Sequence, residues 1–283
     1  MDIKKVAVIG AGSMGSGIAY ICAVKGFEVS LAEVNEDLLK KGIGKIREMI
    51  VEGVSRGKFT PKDAESILSK IKGATDIAEA AKNVDLTVEA VFEDIKVKKD
   101  VFKKLDESCP PHAILASNTS ALSITEMAQA TKRPDKVIGL HFFNPPYAMK
   151  LVEVVMGDET SEETRRAADN FAKGLGKETV TVKDSPGFIV NRLVLPMLNE
   201  AAQLVFEEKK TTMEDVDKAV TLGMNFPAGP FRLADFVGLD VALAVLEHLY
   251  EGFGEKFKPS PILIEKVKSG QLGIKTRKGF YEY

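Results

Sequence analysis

At 283 residues the chain has room for two domains, each with a core of its own. Hydrophobic residues at 45%, charged residues at 28% and a net charge of −2 describe a globular chain and make no electrostatic case for nucleic acid or an anionic membrane. Two cysteines, Cys22 and Cys109, are too few for a disulfide framework or a cysteine-built zinc site, and no metal is implied.

Residues 6–9 form an apolar run suited to a strand buried on both faces; Gly10-x-Gly12-x-x-Gly15 follows at once, and residues 17–24 read as a helix. Between a strand and a helix this spacing has a physical meaning. Gly10 permits the tight turn, Gly12 lets backbone approach a pyrophosphate, and Gly15 lets helix and strand pack closely. The helix start offers unpaired N–H groups and partial positive charge to phosphates. The first strand begins within a few residues of Met1, which is read as leaving no room for a signal or transit peptide.

A second strand, Glu28–Ala32, ends at Glu33, whose carboxylate suits an adenosine ribose and repels a 2′-phosphate. No arginine follows directly, so NAD is expected over NADP. Asn35 caps a helix opening Glu36-Asp37 and running to about Ser55; Thr60-Pro61 opens a second, to about Ile71. This helical hairpin is inserted where a minimal dinucleotide-binding unit has one helix, and Arg56 and Lys58 at its tip are candidates to meet a phosphate-rich ligand.

A strand over residues 86–91, continuing into 92–94, precedes a helix over 95–105; further strands follow at 113–116, 137–140, 151–155 and 178–183, with a helix at 161–175. Glu93, Asn118 with Ser120, and His141 stand at strand ends, where an open parallel sheet binds its ligands. Asp184-Ser185-Pro186-Gly187 breaks the pattern, and strand signals nearly vanish beyond it. Helices are expected at 188–206, 213–222, 231–236, 241–250 and 261–268. The most apolar long stretch, 189–206, is interrupted by Asn191, Arg192, Pro196, Asn199 and Glu200, which suits a buried helix rather than a membrane span. The expected architecture is α/β: a Rossmann-type, mostly parallel sheet with an inserted helical hairpin over residues 1–184, then an all-helical domain over 185–283, in the cytoplasm.

Of three histidines, His112 lies in a polar turn and His248 on an apolar helix, whereas His141 closes a strand inside HFFNPP. An imidazole exchanges protons near neutral pH, as a dehydrogenase must when it takes or returns a hydroxyl proton during hydride transfer. Glu153 on the next strand-like segment is a candidate partner, since a carboxylate on one ring nitrogen fixes the tautomer.

The motifs VAVIGAGSMGSGIA, EAVFEDIKVKKDVF, LASNTSALSIT, GLHFFNPP, MKLVEVV, KDSPGFIVNR and GFYEY together resemble the L-3-hydroxyacyl-CoA dehydrogenases, and among them the bacterial 3-hydroxybutyryl-CoA dehydrogenases, over essentially the whole chain. The resemblance implies roles for matching residues. Gly10, Gly12, Ser13, Met14, Gly15, Glu33, Glu93, Lys98 and Asn118 would hold NAD. His141 would be the general base in alcohol oxidation and the acid in ketone reduction, supported by Glu153. Ser120 and Asn191 would hydrogen-bond the reacting oxygens, with Asn191 contributed by the C-terminal domain, which closes the site and forms a homodimer in the family. The substrate pair implied is (S)-3-hydroxybutyryl-CoA and acetoacetyl-CoA.

Three departures from the family pattern stand out. Pro146-Tyr147 replaces the usual small residue and proline after HFFNP, Arg277 stands for a glycine in the C-terminal GxKTGKGFY pattern, and Glu52 occupies a hairpin position that is basic elsewhere. They would reshape the loop after His141, disturb the C-terminal turn and leave the CoA-phosphate ligands open between Arg56, Lys58 and others. Lys98 has an alternative as a solvated helix cation, and Asn191 as a helix-surface residue. Two other functions compete: a dehydrogenase of a free hydroxy acid or sugar acid, and a non-catalytic NAD-binding protein.

Overall fold

In the computed structural model, which describes residues 2–283, the apolar run after Lys4 forms β1 (Lys5–Ile9) with Val6 to Ile9 buried. Helix α1 (Ser13–Val24) has Gly12 as its N-cap, so it starts a turn before the expected Gly17 and takes in Met14, Gly15 and Ser16. The close approach at Gly15 makes this possible: a Cβ there would collide with the Gly10 carbonyl. Cys22 lies on this helix as a small buried hydrophobe, its thiol pushed well up by burial.

Strand β2 (Glu28–Ala32) leads to the hairpin helices α2 (Glu36–Ser55) and α3 (Pro61–Ser69). Asn35 accepts from Leu38 N, and Thr60 with Asp63 forms a reciprocal capping box. The sequence reading carried α3 on to Ile71; instead the chain enters β3 (Ile71–Ala74) and a short helix α4 (Ile77–Ala81), neither of which was expected. The segment IKGA has little strand character of its own. It is a strand because the edge of β2 pairs with it, Val29 opposite Ile71 through Ala32 opposite Ala74.

Strand β4 (Leu86–Glu89) is shorter than the expected run to Asp94. Glu89 turns the chain out of the ladder by accepting the Val91 N–H at 2.7 Å. Then come α5 (Ile95–Ser108), capped by Asp94, β5 (Ile114–Ser117), α6 (Ile124–Ala128), β6 (Val137–Phe142), β7 (Leu151–Met156), α7 (Glu162–Gly174) and β8 (Glu178–Lys183). His141 is therefore the last residue but one of β6, which runs on to Phe142.

All eight strands share one sheet in the order β3-β2-β1-β4-β5-β6-β7-β8. Every neighbouring pair is parallel except β6 and β7. The eight residues 143–150 are too few for a helical crossover, so β7 returns antiparallel to β6. That reversal sets His141 directly opposite Glu153. The central strands are buried on both faces, as the apolar runs require.

The chain divides into two units, Met1–Asp184 and Ser185–Tyr283. The second is mainly helical: α8 (Val190–Ala202), α9 (Met213–Met224), α10 (Pro230–Val237), α11 (Leu239–Phe253) and α12 (Pro261–Lys268), followed by a bridged C-terminal turn. Pro196 lies inside α8, and the expected continuation to residue 206 is a wider π-turn over Gln203–Glu207. Two buried aspartates organise this unit. Asp217 accepts from Phe231 N and the Tyr281 hydroxyl, and Asp235 accepts from Phe280 N and Tyr281 N. The C-terminal turn that Arg277 was expected to disturb is intact, with Arg277 itself in the left-handed conformation at φ 58°. Among the described residues, no helix is long and apolar enough to cross a membrane.

Candidate active site

The carboxyl ends of β1, β4, β5 and β6 gather the polar residues of the first unit. At β1, Gly10 has φ 101°, and a Cβ there would lie 2.6 Å from the Ala90 carbonyl oxygen. A Cβ on Gly12 would meet nothing within 4 Å. The glycine loop is therefore packed tight beneath and open above, over the first turn of α1, as a bound pyrophosphate requires. Glu33 turns toward this loop: one carboxylate oxygen accepts Ala11 N at 2.8 Å and the other Val34 N at 2.7 Å. A cavity of about 480 Å³ lies beside it, lined by Gly12, Glu33, Leu38, Lys41 and Lys45 among others. The residues present thus fit a dinucleotide. The α2 lysines were missed because nothing local separates them from the other cations of a solvated helix face.

At β4, a second carboxylate lies deeper. Glu89 is fully buried, and it accepts from Lys98 Nζ at 2.7 Å and from Ser117 Oγ at 2.6 Å as well as from Val91 N. Lys98 is 1% exposed, so its reading as a solvated cation is overturned. Its ammonium also meets Glu93 at 3.1 Å, and Glu93 in turn accepts from Thr119 Oγ1 and, at 2.8 Å, from Ser120 N. Asn118 Oδ1 accepts Phe142 N at 3.0 Å, tying the end of β5 to the histidine strand. Glu93, Lys98, Asn118 and Ser120 are thus brought together as one network. Glu89 is the member that sequence reasoning missed. Its signal was present, since Glu89 lies inside the otherwise uncharged stretch LTVEAV, and a carboxylate in a strand buried on both faces demands a partner.

At β6, His141 Nδ1 and Glu153 Oε2 are 2.6 Å apart, with the two side chains 5% and 0% exposed. With Nδ1–H directed at the carboxylate, Nε2 is the basic nitrogen of the neutral ring. The departure at Pro146-Tyr147 is accommodated on α1. Pro146 is buried against Gly17, and the Tyr147 ring stands edge-on to Tyr20 at 6.1 Å. Lys177 holds the same loop, donating to Pro146 O at 2.6 Å and Met149 O at 2.8 Å.

Two expected residues stand apart from this cluster: Arg56 and Lys58 are exposed at the hairpin tip, Arg56 in an ion pair with Glu52. Asn191 belongs to the second unit, in the first turn of α8. His112 pairs with Asp85 at 3.2 Å, and His248 lies 3.8 Å from Glu251. Among the described residues, no three His, Cys, Asp or Glu side chains are grouped to hold a metal.

A dinucleotide cradle and a buried imidazole–carboxylate pair on the edge of one α/β sheet define an NAD-linked oxidoreductase. Residues 5–185 match the NAD-binding domain profile of 3-hydroxyacyl-CoA dehydrogenase, and residues 187–283 match the profile of its C-terminal domain. The chain belongs to the 3-hydroxyacyl-CoA dehydrogenase family, and NAD is its cofactor. It is 45% identical over 284 residues to a probable 3-hydroxybutyryl-CoA dehydrogenase of Bacillus subtilis (strain 168), covering 100% of this chain and 98% of that protein. A 3-hydroxybutyryl-CoA dehydrogenase of Clostridioides difficile is also 45% identical, over 99% of each chain. The crystal structure of (S)-3-hydroxybutyryl-CoA dehydrogenase PaaH1 from Ralstonia eutropha superposes with a TM-score of 0.95 at 41% identity, covering 100% of this chain and 99% of that one.

Proposed function

We propose that the protein interconverts (S)-3-hydroxybutyryl-CoA and acetoacetyl-CoA with NAD. The observation that carries the reading is the buried His141–Glu153 pair, standing on the same sheet edge as the glycine cradle. The relatives' names support the choice of a short 3-hydroxyacyl thioester.

In the oxidative direction His141 takes the C3 hydroxyl proton at Nε2 while Glu153 holds Nδ1–H and balances the charge of the protonated ring. In the reductive direction the same nitrogen returns the proton to the C3 oxygen. The Ser120 hydroxyl is assigned to the C3 oxygen, where a donor stabilises developing negative charge. Gly10, Gly12, Ser13, Met14 and Gly15 cradle the pyrophosphate, Glu33 takes the adenosine ribose, and Glu93, Lys98 and Asn118 line the nicotinamide end. NAD supplies hydride acceptance and NADH hydride donation at nicotinamide C4. Arg56 and Lys58 are assigned to the CoA phosphates, which suits their exposure at the hairpin tip. A homodimer in the cytoplasm completes the reading.

The test is the loss of NADH absorbance with acetoacetyl-CoA, beside free acetoacetate and NADPH as controls. Turnover of the thioester with NADH, and little with either control, is the expected result. Equal activity on the free acid would transfer the case to a hydroxy-acid dehydrogenase. Activity with neither substrate would favour a non-catalytic NAD-binding protein.

A further inference from the structure

We infer that Glu89 is a positioning residue for the reaction: through Lys98 and Glu93 it fixes the turn that presents Ser120. The inference rests on the reading of Ser120 as a donor to the C3 oxygen. Glu89 is the last residue of β4 and lies between Ile9 of β1 and Ser117 of β5, midway between the cofactor loop and the serine turn. No solvent reaches it, so its charge is balanced only by what it touches.

Those contacts form an ordered chain. Lys98 Nζ is 2.7 Å from Glu89 and 3.1 Å from Glu93, so two carboxylates share one ammonium and Glu89 has the closer half. Glu93 divides its own carboxylate: Oε2 faces Lys98, while Oε1 takes the Thr119 hydroxyl and Ser120 N. Glu89 also accepts the Ser117 hydroxyl, and that oxygen accepts Thr119 N at 3.1 Å, so it reaches the serine turn by a second route.

The competition at Lys98 gives Glu89 its leverage. With Glu89 neutral, the buried ammonium has one counter-charge left and draws Glu93 toward itself. The oxygen that Glu93 offers to Thr119 and Ser120 rotates away, and the Ser120 hydroxyl loses its aim. A displacement of well under 1 Å is enough, because a catalytic hydrogen bond tolerates little misplacement. A plain structural ion pair makes a different prediction: loss of stability with no dependence on Ser120.

The experiment compares Glu89→Gln, Ser120→Ala and the double variant, reading kcat and KM with acetoacetyl-CoA and NADH, and Tm for each. Ser120→Ala alone is expected to lower kcat by roughly 10²–10³-fold, the range for one donor to developing charge. Glu89→Gln is expected to lower kcat by about 10-fold or more in the wild-type background and by less than about 3-fold when Ser120 is already alanine. Losses that multiply, each variant costing the same factor in either background, would overturn the inference and leave Glu89 a structural ion-pair member. A silent Ser120→Ala would overturn it differently, by removing the serine from the chemistry; wild-type turnover of the thioester then still judges the proposed function separately. If Glu89→Gln does not fold, Lys98→Met breaks the same chain at the link between Glu89 and Glu93. The same non-additivity with Ser120→Ala is expected, and multiplicative losses would again overturn the inference.

Discussion

Both units bury carboxylates, and they use them for different ends. In the first unit Glu153 faces an imidazole and Glu89 faces an ammonium and a serine hydroxyl, so each carboxylate holds a side chain that can itself act. In the second unit Asp217 and Asp235 face mainly backbone N–H groups and tyrosine hydroxyls, at Phe231, Arg232, Phe280, Tyr281 and Tyr283. A buried charge costs free energy in either place unless its partners are complete. What differs is what the partner is free to do. A backbone N–H can only be held, so these aspartates pin a chain terminus. A ring nitrogen or a serine hydroxyl can be aimed.

The largest effect should come from breaking the first kind. His141→Ala is expected to lower kcat by about 10²–10⁴-fold, the usual range for a general acid–base group. NADH affinity, followed by fluorescence titration, should stay within a few-fold, because the glycine cradle and Glu33 follow β1 and β2, which β4 and β5 separate from β6 in the sheet. Unchanged turnover would remove His141 from the chemistry and leave its pairing with Glu153 architectural, erasing the contrast between the units.

The opposite pattern is expected for Asp235→Ala. It leaves Phe280 N and Tyr281 N without their buried acceptor, at a cost of about 3 kcal/mol. Calorimetry should show the second unit's unfolding midpoint lowered by on the order of 10 °C, with KM for NADH unchanged well below that temperature. The same carboxylate gives the wild-type unit an alkaline signature. Partial burial and Asp235 push the Tyr283 hydroxyl up from 10.0 to about 12. A phenol whose pKa is raised by folding adds stability while protonated in both states, so its contribution is complete below about pH 10 and fades toward about pH 12. A midpoint that does not fall across that window would remove Tyr283 from the groups that Asp235 holds.

How much of this could be read in the sequence depended on how local each cause was. The glycine spacing, the caps at Asn35 and Thr60, and the break at Asp184 to Gly187 are written in neighbouring residues and were legible. Strand β3 was not, because IKGA becomes a strand only when β2 offers an edge. The pairing of His141 with Glu153 was legible as an expectation, but its geometry follows from the reversal of β7, which is a property of the sheet. Lys98 was ambiguous for the same reason. Its burial is decided by Glu89, nine positions away, and a helix full of lysines gives no hint which one turns inward.

The smallest effect concerns a departure that the fold absorbed. Arg277 stands where the family pattern has glycine, and the turn survives with Arg277 at φ 58°, ψ 10°. An L side chain in that region costs about 1 kcal/mol or more, partly offset because it restricts the unfolded chain more than glycine does. Arg277→Gly should therefore stabilise the second unit by about 0.5 kcal/mol, read as a rise in Tm of a few degrees with no change in turnover. Two residues in the same turn show why arginine is tolerated here and not beside it. A Cβ on Gly273 would run into the Asp235 backbone, and one on Gly279 into the Asp235 carboxylate, whereas Arg277 is exposed and its side chain meets no such wall. The aspartate that pins the C-terminus thus decides which glycines of the motif are obligatory. If Arg277→Gly lowered Tm instead, the arginine side chain would have to be stabilising the turn by more than its backbone strain costs.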